Sequence, residues 1–228
     1  MTRRRYDPAV DHPSRQPHVV VVVPVGTLEG AKSRLGIALD AEERHDLAER
    51  MARRTIEAAV ATPGVAETLV VTPDDEVRRI ALDAGARPIR QRGHGLNAGL
   101  REARDEAVAG GATALLVVPI DLPGITAEAL AAIVRAVSEG TEPRVVLVPD
   151  RHGRGTNALA VAPPDAINFC FGGDSREAHV RGAREAGAEL IELDGPLRLD
   201  LDTPDDLLLA EQLAPAVIGA ARPAPTVE

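Results

Sequence analysis

Aromatic side chains are nearly absent from this chain. They make up 1% of its 228 residues, with no Trp, one Tyr and two Phe. A stacking platform for single-stranded nucleic acid is thereby excluded, because such platforms are built from aromatic faces. A bound base would have to be held by backbone, amide and aliphatic contacts. Cysteine is equally scarce. Cys170 stands alone, so no internal disulfide can form, and a reducing compartment, the cytoplasm, fits. Lying in an apolar stretch, Cys170 reads as a small buried hydrophobe rather than a nucleophile. Long hydrophobic runs are missing too. Arg3 to Arg5 look like the start of a targeting segment, but polar residues follow up to Val19, and the apolar run there is short and ends in Pro24. Neither a signal peptide nor a membrane span is expected. Positive charge is in deficit, with 26 Lys and Arg against 35 Asp and Glu and a net charge of −9. That balance argues against nucleic-acid and anionic-membrane partners.

What remains is ordinary globular composition, 44% hydrophobic and 27% charged, in a chain long enough for one good core. A single domain is expected over residues 18–214. The polar, proline-bearing residues 1–17 and the Ala/Pro-rich residues 215–228 are expected to be disordered tails. The chain leaves a homodimer open.

Val19 to Val23 is an unbroken β-branched run. Five valines cannot alternate between core and solvent, so they read as a strand buried on both faces, as in a parallel sheet. Strand and helix patterns then alternate. A helix is expected at about 40–61 and a strand within Val65–Thr72. Pro73-Asp74-Asp75-Glu76 opens a helix that ends at Gly85. A short strand near 87–90, a helix at about 97–109 and a second buried strand, Ala112–Val118, follow. Thr126 caps a helix to about 138. Val145–Val148 and Ala158–Val161 are strands flanking a glycine-rich loop. Ser175 starts a helix to about Gly187, Glu189–Leu193 is a strand, and Thr203-Pro204 opens the last helix. This is an α/β, three-layer sandwich with a mostly parallel sheet. The strand pair around 145–161 breaks the alternation, so one strand is expected to run antiparallel.

Ligands of open α/β sheets bind beyond the carboxyl ends of the strands. The loop after the valine run carries Gly26, Gly30, Lys32 and Arg34, glycine amides and cations that suit phosphate. It is not the ATPase phosphate-binding loop, because Gly26 and Gly30 are three residues apart and Ala31 precedes Lys32. Asp121 sits where a buried strand ends. In Leu199-Asp200-Leu201-Asp202, an extended backbone would point Asp200 and Asp202 to one side. Carboxylates from two strand ends suit a hard cation such as Mg²⁺. Asp205 and Asp206 are explained by the helix start, with Thr203 as cap and Pro204 in the first turn. Gly172-Gly173-Asp174-Ser175 before a helix suits an anion, or simple capping by Asp174 or Ser175. Thr156 and Asn157 are donors to a second anionic group, or turn residues. His179, one turn on from Ser175, faces the anion or is a plain core or surface histidine.

Taken in order, these pieces resemble the guanylyltransferases of deazaflavin coenzyme F420 biosynthesis, which activate phosphoenolpyruvate or 2-phospho-L-lactate. The matching text is Pro24-Val25 with Ala31-Lys32-Ser33-Arg34-Leu35, Gly95-Leu96-Asn97, Asp121-Leu122-Pro123 and Gly155-Thr156-Asn157-Ala158-Leu159. Phe171-Gly172 with Ser175 and His179, and Asp200-Leu201-Asp202-Thr203-Pro204, complete it. The resemblance spans about residues 19–213. It implies a nucleotide-diphospho-sugar-transferase-like (Rossmann-like) fold similar to that of the enzymes that guanylylate molybdopterin, with GTP as cosubstrate and Mg²⁺ as cofactor. It implies metal on Asp121, Asp200 and Asp202, and the phosphoacid on Thr156, Gly172 and Ser175. Nucleotide contacts fall to Val25, Gly26, Lys32 and Asn97, and catalytic charge to Lys32, Arg34 and Asp121. The family usually has Lys directly after Pro-Val, where this chain has Gly26. Another acceptor (3-phosphoglycerate, molybdopterin or a sugar phosphate) and a non-catalytic nucleotide-binding regulator are the competing readings.

Overall fold

The computed structural model describes residues 17–140 and 143–218. A seven-stranded sheet is built from β1 (Val19–Pro24), β2 (Val65–Thr72), β3 (Arg87–Arg90), β4 (Ala114–Val117), β5 (Arg144–Pro149), β6 (Thr156–Ala162) and β7 (Glu189–Glu192). Their spatial order is β3-β2-β1-β4-β6-β5-β7. Every neighbouring pair is parallel except β4–β6 and β5–β6. One strand, β6, therefore runs against the other six, as expected from the break in alternation.

The helices are α1 (Ala41–Val60), α2 (Asp75–Asp83), α3 (Leu96–Ala109), α4 (Ala127–Ser138), α5 (Ser175–Ala186), α6 (Pro204–Leu213) and the single turn α7 (Pro215–Ile218). The valine run divides between two layers, as its lack of a polar face demands. Val19, Val21 and Val23 pack with Ala52 and Ile56 of α1 and Ile133 of α4. Val20 and Val22 face the opposite way, onto Leu100 and Ala103 of α3 and Ala183 of α5. Period-two geometry inside a sheet covered on both faces requires this split.

Helix starts follow local chemistry. Asp40 and Glu43 form a reciprocal capping box at α1, and Thr126 caps α4. Thr203 and Asp206 form a second box at α6, with Pro204 at its first position, as the sequence indicated. The carboxyl-terminal boundary differs from expectation. Pro215–Ile218 is a helical turn, and Ile218 is buried with Leu35, Leu39, Leu47, Met51, Leu201 and Leu207 in a third apolar cluster. Composition alone concealed this, because one buried isoleucine anchors an otherwise Ala/Pro-rich stretch. The rest of the expected tails, 1–16 and 219–228, lies outside the described residues. Cys170 also differs: it is exposed, because its neighbour Phe169 takes the inward position in the alternation.

The third cluster has a consequence for the site. It clamps the loop after β1 and the segment before α6 onto α1. A turn at Leu122–Ile125 packs in the first cluster with Leu197 from the segment before α6, and a Cβ on Gly124 would run into the carbonyl oxygen of Pro196. Backbone cannot yield as a flexible side chain can. Gly124→Ala should therefore lower stability by about 1–3 kcal/mol, read as a drop in Tm; an unchanged Tm would show that the two segments can part freely.

Candidate active site

The reversal of β6 decides which residues meet. Parallel strands deliver their carboxyl ends to one edge of the sheet. Val117 of β4 pairs with Leu159 of β6, so the first residues of β6, Thr156 and Asn157, fall level with the chain just beyond β4. Asp121 lies at that edge. Consecutive strand residues point to opposite faces, and these two do. Asn157 turns to the acidic segment and Thr156 turns to α5.

The acidic segment is sewn to Asp121 by the backbone, since Leu201 N donates to the Asp121 carbonyl at 2.8 Å. Asn157 Nδ2 donates to the carbonyls of Leu197 and Arg198 at 2.9 and 3.0 Å and reaches Asp200 Oδ1 at 3.5 Å. Asn157 thus holds the segment that carries Asp200, and is not a free anion donor as the sequence allowed. Asp200 is half-buried. Burial, and next the charge of Asp121, push its pKa above the usual carboxylate value. Two carboxylates crowded in this way have an ionisation cost that a cation would remove. Among the described residues no three His, Cys, Asp or Glu side chains form a ready metal cage. Asp121 and Asp200 still fit a hard divalent ion that takes its other ligands from phosphate and water.

Asp202, expected as a third ligand, stands near enough to Asp200 for its charge to disfavour that ionisation too, and it also pairs with two cations. It lies 3.6 Å from Lys32 Nζ and 3.3 Å from Arg34. Lys32 is the hub. Its ammonium donates to the Leu201 carbonyl at 2.6 Å and sits 3.9 Å from Asp121, with its side chain only 9% exposed. Its backbone has φ +54°, the one positive value at a non-glycine position among the described residues. Left-handed backbone costs a residue with a Cβ about 1–2 kcal/mol. It persists here because the next residues turn at once into Ser33–Leu35, whose Leu35 is fully buried. A pocket of about 290 Å³ lined by Lys32, Ser33, Arg34 and Asp202 opens beside this group. A larger one, about 570 Å³ between β3 and α3, holds none of the candidate residues.

Val25 continues the sheet by donating to Val71 and is buried, while Gly26 is exposed. Asn97 was expected at the nucleotide. Its side-chain amide exchanges two 2.9 Å hydrogen bonds with the backbone of Phe171. It therefore fixes the loop that leads to Gly172.

On the other side of Thr156, the Gly172 backbone has φ +150°, and the space where its Cβ would stand is empty. Ser175 N donates to the Gly172 carbonyl at 3.2 Å. Ser175 is buried as the first residue of α5. The cap position belongs to Asp174, whose side chain makes no capping bond and lies instead 3.2 Å from Arg154. Capping therefore does not explain Ser175, and among the described residues its hydroxyl has no partner. His179 is fully buried. It lies 3.0 Å from Thr156 Oγ1 through Nδ1, and its Nε2 accepts from Cys170 N at 3.0 Å. Sequence reasoning had no signal for these partners, which lie 23 and 9 residues away. A further link it missed is the 2.6 Å ion pair of Arg151 with Asp206, which ties the β5–β6 loop to the start of α6.

This pairing of an acidic edge with a buried lysine, and the open space at Gly172, can be set beside known proteins. A family model described as "Guanylyl transferase CofC like" matches residues 19–211. The chain belongs to this family. It is 44% identical over 196 residues to a phosphoenolpyruvate guanylyltransferase of Sphaerobacter thermophilus, covering 86% of this chain and 92% of the relative. A Rubrobacter xylanophilus protein of the same description is 43% identical over 194 residues, covering 85% and 93%. In fold the chain is similar to a Desulfovibrio desulfuricans G20 protein assigned to the nucleotide-diphospho-sugar transferases. That match has a TM-score of 0.69 and 15% identity, covering 91% of this chain and all of that one. The CofC-like chain is thus a nucleotidyltransferase, with a nucleotide as substrate and, as is usual for such enzymes, a divalent metal. No helix among the described residues is long and apolar enough to cross a membrane.

Burial holds the His179 pKa down at about 4, against 6.5 for a free imidazole. The ring is neutral when folded and takes a proton more readily when unfolded. Its stabilising contribution is complete above pH 6.5 and is lost as pH falls toward about 4, at about 1.4 kcal/mol per pH unit. The difference in unfolding free energy between the wild type and His179→Gln, from urea titrations across that window, should shrink at this slope. A difference independent of pH would contradict a neutral buried imidazole.

Proposed function

We propose that the protein transfers GMP from GTP to phosphoenolpyruvate in the cytoplasm, releasing pyrophosphate, as a step of coenzyme F420 biosynthesis. The observation that carries this reading is the meeting of Asp121, Asp200 and buried Lys32 at one sheet edge. The relatives named phosphoenolpyruvate guanylyltransferase support the acceptor.

Both reactants are polyanions. Like unit charges about 4 Å apart repel by roughly 4 kcal/mol at an effective dielectric near 20, and several such pairs must come together. Lys32 and Arg34 offset the triphosphate charge, with Asp202 holding both cations in place. Asp121 and Asp200 would hold Mg²⁺, which when bound supplies charge neutralisation at the reacting phosphates. Val25 and Gly26 present backbone to the nucleotide. Thr156, Gly172 and Ser175 take the phosphoacid. A phosphate oxygen of the acceptor attacks the α-phosphorus of GTP, the α–β bridging bond breaks, and its electron pair leaves with pyrophosphate. The attacking oxygen is already ionised at neutral pH, so no general base is required and no serine nucleophile is assigned.

The reaction is tested by incubating the protein with GTP, Mg²⁺ and, separately, phosphoenolpyruvate, 2-phospho-L-lactate and 3-phosphoglycerate, with mass spectrometry of the products. A guanylylated phosphoenolpyruvate and stoichiometric pyrophosphate are expected. Preference for either other acid would replace the acceptor, and no product with any of them would sink the reading. Asp121→Asn and Asp200→Asn should nearly abolish turnover, since metal-held charge stabilisation is worth several kcal/mol. Asp205→Asn should cost only stability, under about 1 kcal/mol through the helix dipole.

Thr156→Val and Ser175→Ala should raise the acceptor KM about ten- to a hundredfold, the loss expected for a hydrogen bond to a charged group, and leave the GTP KM unchanged. Because Ser175 makes no capping bond, its variant should keep the wild-type Tm. A lowered Tm with normal kinetics would return Ser175 to a structural role.

A further inference from the structure

His179 shows more than burial, because both of its ring nitrogens are engaged and one engagement fixes the other. A backbone amide can only donate. Nε2, 3.0 Å from Cys170 N, must therefore be the unprotonated acceptor. A neutral ring carries one proton, so that proton is on Nδ1. Nδ1 is 3.0 Å from Thr156 Oγ1, so the threonine oxygen accepts there. Its own hydrogen is left over and has to point elsewhere. The amide that begins this chain is held firmly: the next residue, Phe171, is gripped at both its N–H and its carbonyl by Asn97. The Phe171 ring also packs edge-on against the imidazole, with centroids 5.0 Å apart.

We propose that His179 is a positioning residue which, through the ordered relay Cys170 N–H to His179 to Thr156, commits the Thr156 hydroxyl to donate to an anionic oxygen of the phosphoacid. The opposite tautomer would make Thr156 the donor to the ring and turn its lone pairs toward the anion, replacing attraction by repulsion. The relay thus selects ionised acceptor oxygens over neutral hydroxyl or amide donors at this point of the pocket. The assignment of the phosphoacid to Thr156 rests on the reaction proposed above; the direction of the relay does not.

The direction is read on the ligand-free full-length protein by long-range ¹⁵N–¹H correlation of the histidine rings, with His179 identified by its absence in His179→Gln. An unprotonated Nε2 and a protonated Nδ1 are expected, and the reverse overturns the relay. Kinetics then test the purpose. In His179→Gln the amide can still accept from Cys170 but no longer donates to Thr156. In His179→Asn an amide N–H stands close to the Nδ1 position. The glutamine variant should raise the phosphoacid KM about tenfold, in line with the loss of one well-aimed bond to an anion, with the GTP KM unchanged and kcat little altered. The asparagine variant should recover most of that loss. Thr156→Val with His179→Gln should be no worse than Thr156→Val alone. Additive losses, or equal rises in both KM values, would show a merely structural histidine and overturn the proposal. Should the variants fail to fold, the His179 ring is assigned in the wild type by through-bond correlation to its own backbone amide, and that spectrum decides the direction of the relay. Absence of wild-type turnover counts against the proposed reaction, whereas a protonated Nε2 counts against the relay alone.

Discussion

Crowding negative charge is unfavourable, and the site depends on the way that crowding is contained. Asp121, Asp200 and Asp202 stand close enough for Asp121 and Asp202 to disfavour the ionisation of Asp200, in a chain already at −9. One lysine answers for two of the three. To reach them, Lys32 must leave the loop with its backbone in the left-handed region, and its ammonium must be nearly out of water. A buried ammonium is tolerable only where partners surround it. The Leu201 carbonyl and two carboxylates are those partners. The charge pattern and the backbone conformation at Lys32 are thus one constraint seen from two sides.

An apolar cluster keeps this arrangement in register. Leu35 and Leu39 come from the lysine loop, Leu201 from the acidic segment, Leu47 and Met51 from α1, and Leu207 from α6. Burial of such side chains contributes roughly 1.5–3 kcal/mol each, well above the cost of the strained lysine. The polar chemistry is therefore held by hydrophobic packing immediately beneath it. Ile218 belongs to the same cluster, which gives the short α7 turn a part in the site's geometry.

The reversed strand supplies the other half. Had β6 run with its neighbours, Thr156 and Asn157 would lie at the opposite edge from Asp121. Reversal brings them level with the end of β4 and lets two consecutive residues serve two faces. Asn157 holds the acidic segment while Thr156 meets His179. A polar pair at the start of β6 links the acidic edge to the helix α5 that carries Ser175 and His179.

Much of this was legible in the residues. The Val19–Val23 run implied a strand covered on both faces, Pro204 and Thr203 marked the start of α6, and the paired strands around 145–161 announced the antiparallel member. Each of these depends on side-chain period or on capping within a single turn, and such chemistry is local. The resemblance implied one site for Asp121, Asp200, Asp202, Thr156 and Ser175 by order along the chain, and the structure brings Asp121 and Asp200 to one edge. Tertiary structure alone decided that Asp202 pairs with both Lys32 and Arg34, and that Asn97 grips Phe171. It alone placed Asn157 under the acidic segment, exposed Cys170 and buried Ile218. These partners are separated by anything from one strand position to about 170 residues. Their pairing is set by strand order and by which face of a packed layer each side chain occupies, and neither quantity is written in local sequence.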